Sequence, residues 1–203
     1  MEQLAIEHII PFVEAHRYTG YAILFFAMVL EGESVLIIAG MLASINAFDR
    51  GDVLWISFLG VVLGNLGYYY LGSIVKDKGF AKRMIARAQR AVTYFLPHFR
   101  EKPFTSIFFS KFIYGVNRAT VFMSGVFRVD MKLFFKAELL ASIVWVILYF
   151  CVGYFFGQTA IKITNNAAQF ALLMLGFVVA FILLQRTLTH SYERRKHKKL
   201  ESR

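Results

Sequence analysis

The chain has 203 residues, of which 58% are hydrophobic and 18% charged, and its mean hydropathy is +0.55. A water-soluble domain of this size needs far more polar surface, so the composition excludes that class and places the chain in a membrane. The formal net charge of +10 is concentrated in an internal linker and at the C-terminus. Beside long apolar runs such blocks read as topology signals and contacts with anionic headgroups, not as a nucleic-acid footprint.

Residues 1–17 include Glu7, His8, Pro11, Glu14 and His16, too polar for the core of a secretory signal. They predict a short amphipathic helix lying at the interface. Residues 18–30 are apolar, Glu31-Gly32-Glu33 interrupts, and residues 34–47 are apolar again. Each piece supplies only ~20 Å of helix, too little to cross the ~30 Å hydrocarbon layer alone. Residues 53–75 form a full span. The linker then carries Lys76, Lys78, Lys82, Arg83, Arg87, Arg90, Arg100 and Lys102. Helical spacing puts Phe80, Met84, Ile85, Ala88, Val92 and Phe95 on one side and most of these cations on the other, a basic amphipathic surface helix. Residues 104–127 are apolar but broken by Lys111, Gly115, Asn117 and Arg118. Residues 133–158 and 166–185 are two more full spans, followed by a basic tail over 187–203.

These elements predict an all-α polytopic membrane protein. Its parts are an N-terminal amphipathic helix (1–17), a first repeat (18–75), a basic amphipathic linker (76–103), a second repeat (104–160), a final transmembrane helix (161–186) and a solvated basic tail (187–203). Two topologies compete. If both broken segments cross as single helices, linker and tail fall on opposite sides. If both are re-entrant hairpins, linker and tail share a side. The positive-inside rule favours the second, with both basic blocks cytoplasmic at a cell inner membrane. Irregular backbone at depth is tolerated where it is buried in protein or lines a wet cavity, which suits the charges at the two breaks.

An 85-residue shift supports duplication. It superposes Gly40 on Gly125, Leu54 on Leu139, Ser57 on Ser142, Val61 on Val146, Leu63 on Leu148, Tyr69 on Tyr154 and Gly72 on Gly157. Each unit crosses the membrane once, so the copies are expected to be inverted, the arrangement in which transporters place their site between repeats near mid-bilayer. In this register Glu33 falls on Arg118, and opposite charges at the two breaks could meet.

A charge at the bilayer centre costs roughly 2.5–3.5 kcal/mol on insertion scales. Lys111 and Arg118 therefore read as holders of a lipid phosphate, Arg as a planar fork and Lys as a point charge, with Gly115 between them allowing close backbone approach. The competing reading has both side chains snorkelling to the interface. Glu31 and Glu33 are candidate proton carriers, or one arm of an ion pair with Arg118. Glu138 is a third candidate buried carboxylate, the alternative being pairing with Lys132 or Lys136 nearer the interface. Gly60, Gly64 and Gly67 read as a packing stripe, and Trp55, Trp145, Tyr68, Tyr69, Tyr70 and Tyr154 as belt or core aromatics. Cys151 is the single cysteine, and all five histidines lie outside the long apolar runs, so no disulfide, metal site or cofactor is expected.

The stretch from Phe109 to Gly115, with Ser110, Lys111, Phe112, Ile113 and Tyr114, followed by Asn117-Arg118 and Ser124-Gly125, resembles the second signature of the DedA family, also called the SNARE-associated or VTT-domain family. The run Leu30-Glu31-Gly32-Glu33-Ser34-Val35 with Ala39-Gly40 resembles its first hairpin. Gly64-Asn65 with Tyr69 and Gly72, and Trp145 with Gly153-Tyr154 and Gly157, resemble its two span motifs. The resemblance covers residues 18–160. It implies paired, inverted re-entrant hairpins and translocation of undecaprenyl phosphate or a phospholipid with dependence on proton-motive force. By match Glu31 or Glu33 takes the acidic role and Lys111 the first basic role. The departures are Asn117 at the family's Arg position, with Arg118 one place later, Asn65 at a common Asp, and Ser73 at a usual Arg.

The expected partners are membrane lipids, anionic or phosphate-bearing, and no nucleic acid; a homo-oligomer is left open. An enzyme is not expected: Lys111 and Arg118 share the spacing of a lipid phosphatase motif, but Ala119 replaces its proline and no intramembrane histidine supplies phosphoryl-transfer chemistry. A scaffold or envelope-homeostasis role is the other alternative.

Overall fold

The computed structural model describes residues 16–30, 32–76, 81–113, 115–163 and 167–201, and no side chain at 161, 167, 168 or 188–201. Eight helices occupy those residues: α1 Arg17–Leu30, α2 Glu33–Ser44, α3 Arg50–Val75, α4 Lys82–Phe95, α5 Pro103–Ser110, α6 Val116–Val126, α7 Met131–Ile163 and α8 Ala167–Glu201. Three of them, α3, α7 and α8, are long and apolar enough to cross a membrane. The amphipathic helix expected at the N-terminus and Glu31 lie outside the described residues, except for its last two positions, where Arg17 opens α1.

Both broken segments fold as two short helices with a break where the sequence changes character. Glu33 sits in the first turn of α2, where a carboxylate meets the positive end of the helix dipole. Pro103 starts α5, where its missing N–H costs nothing. Gly115 opens α6 at φ 74°, a left-handed conformation that glycine adopts without a Cβ penalty.

The second short helix of each pair ends in the same way. Ala47 N–H donates to Leu42 C=O across Asn46 at φ 59°, and Val129 N–H donates to Ser124 C=O across Arg128 at φ 54°, two Schellman-type stops. An aspartate then starts each span. Asp49 Oδ1 accepts from Gly51 and Asp52 N–H at 2.8 and 3.0 Å, and Asp130 Oδ1 accepts from Leu133 N–H at 2.9 Å.

The helices are cross-braced. α1 packs on α3 and α5 on α7, within their own halves, but α2 packs on α7 and α6 on α3. Glycines set these crossings. A Cβ at Gly125 would lie 1.9 Å from Tyr69 O, one at Gly72 2.1 Å from Phe122 O, and one at Gly153 2.2 Å from Ile37 O, so backbone meets backbone. The apolar interior follows the bracing in two clusters. One joins α1, α2, the first half of α3, the middle of α7 and Val178 of α8 around Leu36, Ile37 and Trp145. The other joins the end of α3 to α4, α6 and the start of α7 around Val121, Met123 and Phe134.

Several expectations change. Gly125 meets Tyr69 O and Ser73 N where Gly40 meets Phe150 O and Tyr154 N, and Gly72 meets Phe122 O where Gly153 meets Ile37 O. The arms thus keep the 85-residue offset while the spans they pack on are related by 81, which is also the separation of Asp49 and Asp130 at the span starts. Gly40 and Gly125 are packing equivalents and Glu33 keeps its register with Arg118, whereas span pairs such as Gly72 with Gly157 are not equivalents. The displacement is about one helical turn. Gly60 and Gly64 do pack, on Met28 and Val29, but nothing lies within 4 Å of a Cβ at Gly67. In α4 Val92 is buried and Ile85 and Ala88 pack against the second cluster, whereas Met84 is exposed; Phe80 is outside the described residues. The tail expected over 187–203 continues α8 as helix to Glu201, because Lys, Arg and Glu are good helix formers and no Gly or Pro intervenes.

Large apolar side chains remain outside the core on α3 (Trp55, Leu63, Ile74), α7 (Ile143, Ile147, Phe155) and α8 (Leu172, Leu175, Leu183). Continuous apolar exposure of this extent suits hydrocarbon as the surrounding solvent.

Candidate functional site

The two breaks and the two cross-braced spans converge on one cavity of about 180 Å³. Met28 and Val29 from α1, Gly32 and Glu33 from the first break, and Val61 and Asn65 from α3 form one side. Lys111, Gly115, Asn117 and Arg118 from the second break and Trp145 from α7 form the other. The fold thus brings Glu33, Lys111 and Arg118 to one space, and the 85-residue register that relates Glu33 to Arg118 agrees with the glycine crossings of the two arms.

Lys111 stands at the end of α5, and its ammonium turns inward to α7. It forms a buried ion pair with Glu138, the two residues being 2% and 1% exposed. Asn65 Nδ2 donates to the same carboxylate oxygen, Oε1, at 2.7 Å, and Ser142 Oγ donates to it at 2.9 Å. Three donors from α3, the second break and α7 therefore meet on Oε1. The other oxygen, Oε2, is equally buried and has no hydrogen-bond partner among the described residues. Glu138 is the buried carboxylate the sequence suggested, but the alternative partners Lys132 and Lys136 are overturned. The partner arrives from the second break, which folds back over α7.

Arg118 is exposed at the edge of the cavity, its guanidinium 5.9 Å from the centre of the Tyr68 ring. Asn117 beside it is half-buried, and its Oδ1 is buried without a hydrogen-bond partner. Both residues line the cavity, so the one-place displacement of the arginine leaves a cation and an amide side by side. Trp145 belongs to the site rather than to a belt: it is 3% exposed, lies 6.0 Å from Lys111 Nζ, and stacks on Tyr149 at 4.6 Å. Tyr149 Oη accepts from Gln185 Nε2 of α8 at 2.7 Å. Trp55 is 66% exposed and fits the belt reading.

Sequence reasoning did not place Asn65, Ser142 and Trp145 in the site. The one signal for Ser142 was its position four residues after Glu138, on the same helical face. Among the described residues, no three His, Cys, Asp or Glu come together in a way that could hold a metal ion. The chemistry available is electrostatic: two cations, two carboxylates and unsatisfied amide and carboxylate oxygens in a space walled by apolar and aromatic groups.

The VTT domain matches residues 30–155 of the chain. The chain is 25% identical over 189 residues to Protein DedA of Escherichia coli (strain K12), covering 87% of this chain and 84% of that protein. It is 24% identical over 155 residues to Inner membrane protein YohD of the same strain, covering 74% and 77%. It is 20% identical over 167 residues to an inner membrane protein of Borreliella burgdorferi (strain ATCC 35210 / DSM 4680 / CIP 102532 / B31), covering 78% and 80%. No solved structure matches.

Proposed function

Because the chain belongs to the VTT-domain family, we propose that this membrane protein carries a phosphate-bearing lipid, undecaprenyl phosphate or a phospholipid, between leaflets. The observation that carries the reading is the one cavity that Glu33, Lys111 and Arg118 line together from the two broken segments. Charges are kept at membrane depth where they serve a ligand or ion path, and a Lys–Arg pair beside a left-handed glycine suits a phosphate. In this reading the broken segments are re-entrant, Lys111 and Arg118 take the headgroup with Gly115 and Asn117, and Glu31, Glu33 and Glu138 are the groups through which a proton could be coupled. The linker and the C-terminus are cytoplasmic.

The test is leaflet exchange of fluorescent lipids in liposomes holding the purified protein, with undecaprenyl phosphate and phosphatidylethanolamine in parallel, with and without a pH gradient. Exchange that Glu33→Gln and Arg118→Ala each reduce at least tenfold is the expected result. Protein that is folded yet moves neither lipid would sink the proposal and leave a scaffold role.

A further inference from the structure

The Lys111–Glu138 pair places an anion of the protein itself on a cation that lines the cavity. We propose that Glu138 is a resident counter-ion that an incoming anionic headgroup displaces from Lys111. This rests on the reading of the cavity as a headgroup site and adds what holds that site when it is empty. Lys111 both lines the cavity and ends in the buried pair, so one residue borders the ligand space while its ammonium is held by the protein's own carboxylate. Lysine presents three donors on a flexible stem and can turn from one acceptor to another by rotation of its last bonds.

Glu138 is built to remain when the lysine leaves. Its Oε1 keeps two donors, Asn65 Nδ2 and Ser142 Oγ, from two different helices, and both neutral donors hold the oxygen without following the lysine. With the pair closed, the cation is satisfied and a neutral molecule entering the cavity gains nothing from it. Only a ligand with an anionic oxygen competes, so the pair also selects against uncharged lipids. The cluster joins α3, the second break and α7, so exchange of the lysine's partner loosens one tie among these elements when a ligand arrives.

The experiment is binding of dioctanoyl phosphatidate to the full-length protein in nonionic detergent, read by intrinsic tryptophan fluorescence, since Trp145 lies in the cavity wall. Dioctanoylglycerol and inorganic phosphate are the comparison probes. Glu138→Gln keeps the shape and the acceptor for Asn65 and Ser142 while removing the competing charge. It is expected to bind the phosphatidate roughly tenfold more tightly than the parent protein, and Glu138→Asp, whose carboxylate stands back by one methylene, by an intermediate factor. Lys111→Met is expected to lose most of the affinity, and dioctanoylglycerol to bind none of the three measurably. Unchanged or weaker binding in Glu138→Gln and Glu138→Asp, with Lys111→Met still impaired, overturns the counter-ion role and leaves the headgroup site standing. Binding that neither Lys111→Met nor Arg118→Ala changes overturns both. Tight binding of inorganic phosphate alone would identify the free ion, and not a lipid, as the displacing anion.

Discussion

Lys111 and Glu138 are separated by 27 residues and joined only because α5 packs on α7. Moving two charges out of water costs several kcal/mol each even after relaxation, and their attraction returns that cost only while both are present. Lys111→Ala is therefore expected to lower stability by about 3–5 kcal/mol, seen as an earlier thermal unfolding midpoint in detergent. Replacing both, as Lys111→Met with Glu138→Leu, should recover most of the loss. A single variant as stable as the parent would show that the pair is not closed in the protein. The family resemblance put an acid at position 65, where this chain has Asn65. In the fold Asn65 donates to Glu138, and the carboxylate of this cluster is carried by α7. That pairing was invisible along the sequence, because residues 65 and 138 acquire a relation only through packing.

At the scale of helices, close approach between α3 and α6 depends on Gly125, where an added methyl would stand 1.9 Å from Tyr69 O. Gly125→Ala should force the two backbones apart, costing ~1–3 kcal/mol or more by overpacking and lowering exchange with it. Gly67→Ala, with nothing within 4 Å, should be neutral or stabilise by up to ~1 kcal/mol through helix propensity. Equal unfolding midpoints for the two variants would remove the argument. The positions of the breaks were readable beforehand, because Glu31-Gly32-Glu33 and the Lys111 to Arg118 stretch interrupt apolar runs that are too short to span. The three long helices were readable for the same reason, length against bilayer thickness. The offset between the spans was not, since an identity such as Gly72 with Gly157 records composition while the crossing point is set by which turns interlock. The helical state of the tail past 187 was not read from the sequence, which marked only its charge, although the residues concerned favour helix.

For the molecule as a whole, the side of the membrane taken by each basic block follows from the parity of crossings. Single cysteines at Arg90 and Arg203, in a Cys151→Ser background, should both react with an impermeant maleimide only after the cytoplasmic face is opened. Labelling of the two from opposite sides would require the second broken segment to cross. Apart from its packing on α2 and α7, α8 is held to the rest by little: Val178 is its one buried hydrophobic side chain among the described residues, helped by the Phe156–Phe177 stack at 3.8 Å and the Gln185–Tyr149 bond.

The cross-bracing also has a consequence in time. A chain made from its N-terminus delivers α2 more than a hundred residues before Gly153 and Gly157, against which it packs. Until then α2 lacks its main packing surface and must wait in the bilayer, or in the care of the insertion machinery, for a partner still to be synthesised. Two fragments cut between residues 76 and 82 would each lack the surface that completes them and should assemble only when produced in the same membrane.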